Sequence, residues 1–345
     1  MKKGIWVFIQ NSNPLTRTLE DTLFLELADS QLSICTVQEN TSDKLTAFLA
    51  RRKVVKLTCG MFTGFLAGRY QLGRTLERLA KQYEHVNVLF LNTTFRYPAG
   101  VLKAYKEQSP NIRYVLFYFD NLRNAAANYA NYLREHAIFD VVYTFDEWEA
   151  KNNGFVFWRT PYSARPELLG RIPRKDMYFS GRSSGRYAIL HTLSQAGIGH
   201  DAKLEMDVCL TPPDNVNDFS QSSPTFRLHS RGELMTYETV LEKTLEARCI
   251  LDVVFRPDSG LSLRAYEAVV YNRKLLTNNP SILTFPFYDP RYMHYFQRAE
   301  DIDWDWVKED TAVDYHYNGE FSPVNLLKDA EKRLWGACGN RDMEH

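Results

Sequence analysis

Short runs of wholly apolar residues recur along this chain, and each is followed by a segment whose apolar positions return about every 3.6 residues. Runs without polar alternation suit strands buried on both faces, and the periodic segments between them suit crossover helices. A parallel sheet clothed in helices is what such a sequence can fold into. The first series comprises Ile5–Gln10, Gln31–Val37, Val54–Thr58, Val86–Leu91, Tyr114–Phe119 and Val141–Thr144, with Thr16–Ala28, Leu72–Gln82 and Asn124–His136 as its helices. The second comprises Met177–Ser180, Ala202–Met206, Thr225–Leu228, Cys249–Phe255 and Lys274–Thr277, alternating with Tyr187–Ala196, Tyr237–Glu246 and Leu261–Tyr271. Two doubly wound α/β domains are expected.

The stretch Trp158–Pro173 separates the two series. It holds three of the fourteen prolines and has no periodicity, so it reads as a linker. The expected division is residues 1–160, residues 161–305 and an acidic tail, 306–345, with Trp304, Trp306 and Trp335 as apolar anchors and a terminal helix packing back on the body. At 345 residues a single core is near its practical size limit, which favours the same division. Asp214–Pro224, rich in Asn, Asp and Ser, reads as a loop.

Forty-two basic residues balance forty-two acidic ones. Nothing global draws the chain to a polyanion, so no nucleic-acid partner is expected. Locally the balance breaks. Arg51–Lys81 carries eight basic residues against Glu77, interleaved with Phe62, Phe65, Leu66 and Tyr70. That combination suits peripheral contact with an anionic membrane surface. Five widely spaced cysteines without a C-x-x-C pair point to a reducing compartment and away from a thiolate metal site. The first apolar run is too short for a secretory signal, and no run approaches a spanning helix, so a cytoplasmic location is expected.

The most informative stretch is Cys249–Asn279. An apolar strand leads into Arg256-Pro257-Asp258-Ser259-Gly260, and a helix follows from Leu261. The unpaired amides of such a helix start attract an anion. Gly260 lets a phosphate approach the backbone, and Ser259 and Ser262 add hydroxyl donors. Arg264 sits in the first turn, where a cation is unfavourable against the helix dipole, so a bound anion would account for it. Glu267, near one turn further, can accept from a ribose diol. The run S-G-L-S-L-R-x-x-E-A, closed by K-L-L-T-N-N, resembles the donor-binding element of bacterial GT-B glycosyltransferases of lipopolysaccharide, capsule and exopolysaccharide assembly. Phe179–Arg186 resembles the same family's basic loop after the first donor-domain strand, and Asp140–Gly154 the last strand and turn of its first domain.

The resemblance implies two facing Rossmann-like domains, the first for a glycan or lipid-linked glycan acceptor and the second for a nucleotide-sugar donor. It places the donor pyrophosphate on Ser259, Gly260 and Ser262, the ribose on Glu267, and the leaving-group charge on Arg182 and Arg186. Retaining relatives carry a glutamate eight positions before the ribose glutamate; here that position is Ser259, which leaves donor sugar and stereochemistry open. The nucleotide sugar is a substrate, and no cofactor or metal is expected. For the acceptor's proton the candidates are Asp120, after the run Tyr114–Phe119, and Asp146, after Val141–Thr144, because strand carboxyl ends face the crevice in open sheets. Gln10–Pro14 is a candidate acceptor loop. Asp301, Asp303 and Asp305 form two D-x-D patterns and read as an acidic helix start. A GT-B sugar-nucleotide epimerase and a silent nucleotide-binding scaffold remain as alternatives.

Overall fold

The computed structural model describes residues 1–11, 13–38, 70–91, 97–122, 136–214, 223–230, 233–254 and 260–336. The expected strand Val54–Thr58, most of the helix Asn124–His136 and Ser259 lie outside the described residues. The chain divides into two compact units. Residues Met1–Pro161 with Ser322–His345 form unit 1, and Tyr162–Phe321 form unit 2. The second boundary falls at Phe321/Ser322 rather than at 305/306, because the helix Trp304–Lys308 packs into unit 2.

In unit 1 the described strands are β1 (Lys2–Gln10), β2 (Ile34–Gln38), β3 (Tyr83–Leu91), β4 (Ile112–Tyr118), β5 (Val141–Thr144) and β6 (Val156–Phe157). They pair in the order β2-β1-β3-β4-β5-β6, parallel throughout. The helices are α1 (Pro14–Leu23), α2 (Gln71–Ala80), α3 (Ala99–Gln108) and α4 (Glu147–Asn153). α1 begins where Asn13 caps it and Pro14 supplies a preset φ at the first position. One sheet face, with Val7, Ile9, Val88 and Phe90, buries against Leu72 and Leu76 of α2 and Val101 and Leu102 of α3. The terminal helix, residues Pro323–Trp335, lies on the other face. There the Trp6 indole donates to Glu331 Oε1 at 2.8 Å, and the Trp335 indole donates to Asn87 Oδ1 at 2.9 Å.

In unit 2 the strands are β7 (Lys175–Arg182), β8 (Leu204–Cys209), β9 (Phe226–His229), β10 (Ala247–Asp252), β11 (Lys274–Thr277) and β12 (Met293–Tyr295). Their order is β12-β11-β10-β7-β8-β9, again parallel. Helices α5 (Tyr187–Gly199), α6 (Tyr237–Leu245), α7 (Leu263–Val270) and α8 (Trp304–Lys308) connect and cover them. The terminal helix of unit 1 is α9 (Pro323–Trp335). The strand order reverses direction between β7 and β10, the topological switch point of a doubly wound sheet, and it is at the carboxyl ends of strands flanking such a point that these sheets bind ligands. Unit 1 has its own switch point between β1 and β3.

Candidate functional site

β7 and β10 are the neighbours at the switch point of unit 2. At the end of β7, Arg182 is exposed, and Ser183-Ser184-Gly185-Arg186 turns the chain into α5. Ser184 and Gly185 both take left-handed conformations, with φ of 43° and 83°. The Ser184 strain is held by Thr211, whose Oγ1 accepts from the Ser184 amide at 3.0 Å. The Gly185 amide donates to the Asp214 carboxylate at 2.6 Å, so an anion already sits on this turn. Arg186 lies across the switch point. Its guanidinium donates to the carbonyls of Val253, beyond β10, and of Arg182, and its Nε donates to the Ser183 carbonyl at 3.2 Å. Burial lowers its pKa, opposed by the nearby Asp252 and Asp214 carboxylates. Arg186 therefore works as a brace between two strand ends, and Arg182 is the more exposed cation.

At the end of β10 the chain re-enters the described residues at Gly260, whose φ of +71° suits only glycine without strain. Ser262 caps α7, accepting from the Arg264 amide at 3.2 Å, and its hydroxyl donates to Asp252 Oδ1 at 2.9 Å. Asp252 also accepts from Thr277 Oγ1 at 2.9 Å. Burial raises the Asp252 pKa, against the pull of these two hydroxyls and of Arg264 and Arg186.

Glu267 is fully buried. One carboxylate oxygen accepts from Tyr237 Oη at 2.8 Å, and the other pairs with the Arg264 guanidinium. Tyr237 in turn meets Tyr162, hydroxyl to hydroxyl, at 3.0 Å. Burial works against the Arg264 charge, but the Glu267 carboxylate outweighs it and the pKa is raised. This corrects the sequence expectation that Arg264 marks a bound anion: its anion is Glu267, three residues on along the same helix. The structure thus brings Arg182, Arg186, Gly260, Ser262, Arg264 and Glu267 into one unit, all on β7, α7 or the turns leading into α5 and α7.

Sequence reasoning missed Asp252, Asn278, Asn279, Thr211 and Tyr237. Asp252 and the Thr277-Asn278-Asn279 run stood inside the stretch Cys249–Asn279, where a polar residue ending an apolar strand was a usable signal. Tyr237 lies thirty residues from Glu267, and nothing local in the sequence joins them.

In unit 1, Asp120 is exposed just past the end of β4. Asp146 is buried and caps α4. It accepts from the Glu149 amide at 2.9 Å, and its second oxygen accepts from the Asn121 side-chain amide. In the loop after β1, Asn11 accepts from the Asn13 amide at 2.9 Å, and Asn13 from the Leu15 amide at 3.0 Å. Beside this loop a cavity of about 420 Å³ is lined by Gln10, Glu20, Phe24, Leu27, Thr36 and Leu91 among others. Of the basic stretch, Arg74 and Arg78 are exposed on α2, Lys81 pairs with Glu77 at 2.9 Å, and Tyr70 is buried in the core rather than offered to a surface. Asp303 caps α8 and Asp301 accepts from the Arg298 amide at 2.8 Å. Among the described residues no three His, Cys, Asp or Glu side chains gather so as to hold a metal ion, and no helix is long and apolar enough to cross a membrane.

No family model matches the chain, and no curated protein does. Solved structures do. An α-glucosyltransferase in complex with UDP-glucose and DNA containing an abasic site superposes with a TM-score of 0.54 at 9% identity, covering 97% of this chain and 94% of that one. An α-glucosyltransferase in complex with UDP gives 0.54 at 8%, covering 96% and 99%. A glycosyltransferase from Rickettsia africae gives 0.52 at 10%, covering 97% and 99%. The fold of this chain is the GT-B fold of glycosyltransferases. Identities this low carry the fold alone, and the chemistry has to be argued from the residues.

Proposed function

We propose that the chain is a glycosyltransferase that moves a sugar from a nucleotide-sugar donor to a surface-polysaccharide or lipopolysaccharide acceptor, a glycan or lipid-linked glycan, without a metal. One observation carries this reading: the residues of the sequence motif converge on the switch point of unit 2, where a doubly wound sheet binds its ligand. In this reading the donor diphosphate lies on the first amides of α7 beside Gly260 and Ser262, with Ser259 completing the turn. Arg182 neutralises the leaving group, Arg186 braces the strand ends beneath it, and Arg264 orients Glu267. That carboxylate is fully buried with both oxygens engaged, so a ribose hydroxyl reaches it by displacing the Tyr237 hydroxyl. Fixed amides and arginines stabilise the departing charge in place of a metal ion.

On the acceptor side Asp120, exposed past the end of β4, is the better-placed base, since Asp146 is buried. The cavity next to Gln10 is lined mostly by apolar side chains with Glu20 and Thr36 among them, which supports an acceptor with an apolar portion. The charge balance of the chain supports an acceptor other than nucleic acid. A reducing, cytoplasmic setting with peripheral membrane contact through Arg51–Lys81 belongs to the same reading.

The test is thermal stability against UDP, GDP, CDP, dTDP and CMP, with and without magnesium, for wild type and Arg182→Ala. A nucleoside diphosphate at a hundredfold excess over Kd should stabilise wild type by about 2.7 kcal/mol without magnesium, and less in the variant. No stabilisation of wild type by any of the five rejects the donor site. Donor interconversion in the absence of acceptor would replace the transferase with an epimerase.

A further inference from the structure

β10 and β11 run side by side and end together, Asp252 opposite Thr277. Beyond them the chain that approaches the turn passes through Val253 and Val254, and the chain that leaves it passes through Gly260 to Ser262. The run Thr277-Asn278-Asn279 holds both arms. The Val254 amide donates to Asn278 Oδ1 at 2.7 Å on the incoming arm, and Asn279 Nδ2 donates to the Gly260 carbonyl at 2.7 Å on the outgoing arm. Ser262, at the helix start, is tied to Asp252, and Asp252 to Thr277. Asn279 is fully buried, and its Oδ1 is fixed by the Ser281 amide at 3.0 Å, so its amide group cannot swivel away from Gly260 without losing that bond.

A trans peptide is planar, with its C=O and the following N–H on opposite sides. Once Asn279 holds the Gly260 carbonyl, the Leu261 amide must point away from β11. Buried polar side chains used in this number are poor substitutes for apolar packing, and their return lies in fixed direction rather than stability. We propose that Asn279, with Asn278 and Asp252, is a positioning residue for the diphosphate of the donor: the end of β11 sets the direction of the amides at the start of α7. This rests on the donor-site reading above.

Asn278→Asp and Asn279→Asp add the same charge at adjacent positions. The carboxylate at 278 still accepts from the Val254 amide. At 279 it cannot donate to Gly260 and instead faces a carbonyl. The measurement is the affinity, by calorimetry, for the diphosphate and for the free nucleoside of whichever base binds wild type in the five-nucleotide panel. Asn279→Asp should lose about tenfold more diphosphate affinity than Asn278→Asp, the size of one hydrogen bond in a dry site, with nucleoside affinity held in both. If Asn279→Asp does not fold, Asn279→Ala is read against wild type for the same split between diphosphate and nucleoside. Equal losses in the two Asp variants, or a loss shared by nucleoside and diphosphate, overturn the assignment and leave the donor site standing. Absence of wild-type binding to any of the panel overturns both.

Discussion

Glu267 and Arg264 are three residues apart on α7, and burial makes each depend on the other. Removing one partner of a buried pair leaves an uncompensated charge, which costs about 3–5 kcal/mol. Glu267→Ala should therefore lower stability by about that amount in urea unfolding even without ligand. Adding Arg264→Leu should recover a large part of the loss, and strict additivity of the two changes would contradict the pair. Asp252 gives a second prediction. Its pKa is raised in the folded state above the ordinary carboxyl value near 3.9, so folding favours its protonated form. That contribution is fully present below the ordinary value and is lost as pH rises through the folded value. Asp252→Asn removes the titration, so the melting temperature of the variant minus that of wild type should grow as pH rises from about 4. A difference that stays flat to pH 8 contradicts this. At this scale the sequence was readable where chemistry is consecutive, as in Gly260 through Glu267. It was opaque where partners are distant, since Tyr237 and Asn279 reach the site only through the sheet.

Elements were legible by the same logic of length. Short, mainly apolar runs placed β1, β3, β4, β5, β7, β10 and β11 within a few residues, whereas β6 has two residues and β12 three, too few to form a pattern. Lys274–Thr277 is a strand as expected, but its lysine is buried, because the ammonium donates to the carbonyls of Trp306, Val307 and Glu309 where α8 ends. Burial lowers its pKa, and its position over the Trp306 ring adds a cation–π contact at 4.9 Å. Lys274→Met keeps the bulk and strands three carbonyls, with an expected loss of about 3 kcal/mol. Unchanged stability would mean that water replaces the ammonium. α4 offers a cleaner separation of structure from chemistry. Asp146→Ala should lose about 1 kcal/mol with the cap, while Asp146→Asn keeps a good capping side chain. If Asp120 is the base, Asp120→Asn lowers turnover by about 10²–10⁴, and Asp146→Asn leaves turnover near wild type. The reverse pattern would exchange their roles.

Across the whole molecule the chain leaves unit 1 at Pro161 and returns at Ser322, and the two ends of unit 2 meet, the Tyr162 amide donating to the Phe321 carbonyl at 2.8 Å. What returns is α9, and the three tryptophans read as anchors divide between the units. Trp304 and Trp306 fill the core of unit 2, and Trp335 belongs to unit 1. Periodicity announced a terminal helix but not its host, because an amphipathic face records what it buries and not which sheet receives it. Trp335 stacks on His85 with ring centres 3.9 Å apart, lies under the Arg113 guanidinium at 4.6 Å, and bonds Asn87. Its contacts join α9 to β3 and β4, strands at the centre of the unit 1 sheet. Trp335→Ala should cost about 2 kcal/mol, less than a fully buried tryptophan because the ring is half-exposed. The loss should appear in hydrogen exchange as faster opening of β1, β3 and β4, with β7, β10 and β11 unaltered, since each unit closes its own core. Equal acceleration in both sheets would mean that α9 holds the two units in one cooperative transition, and that stability measured at the donor site reports on unit 1 as well.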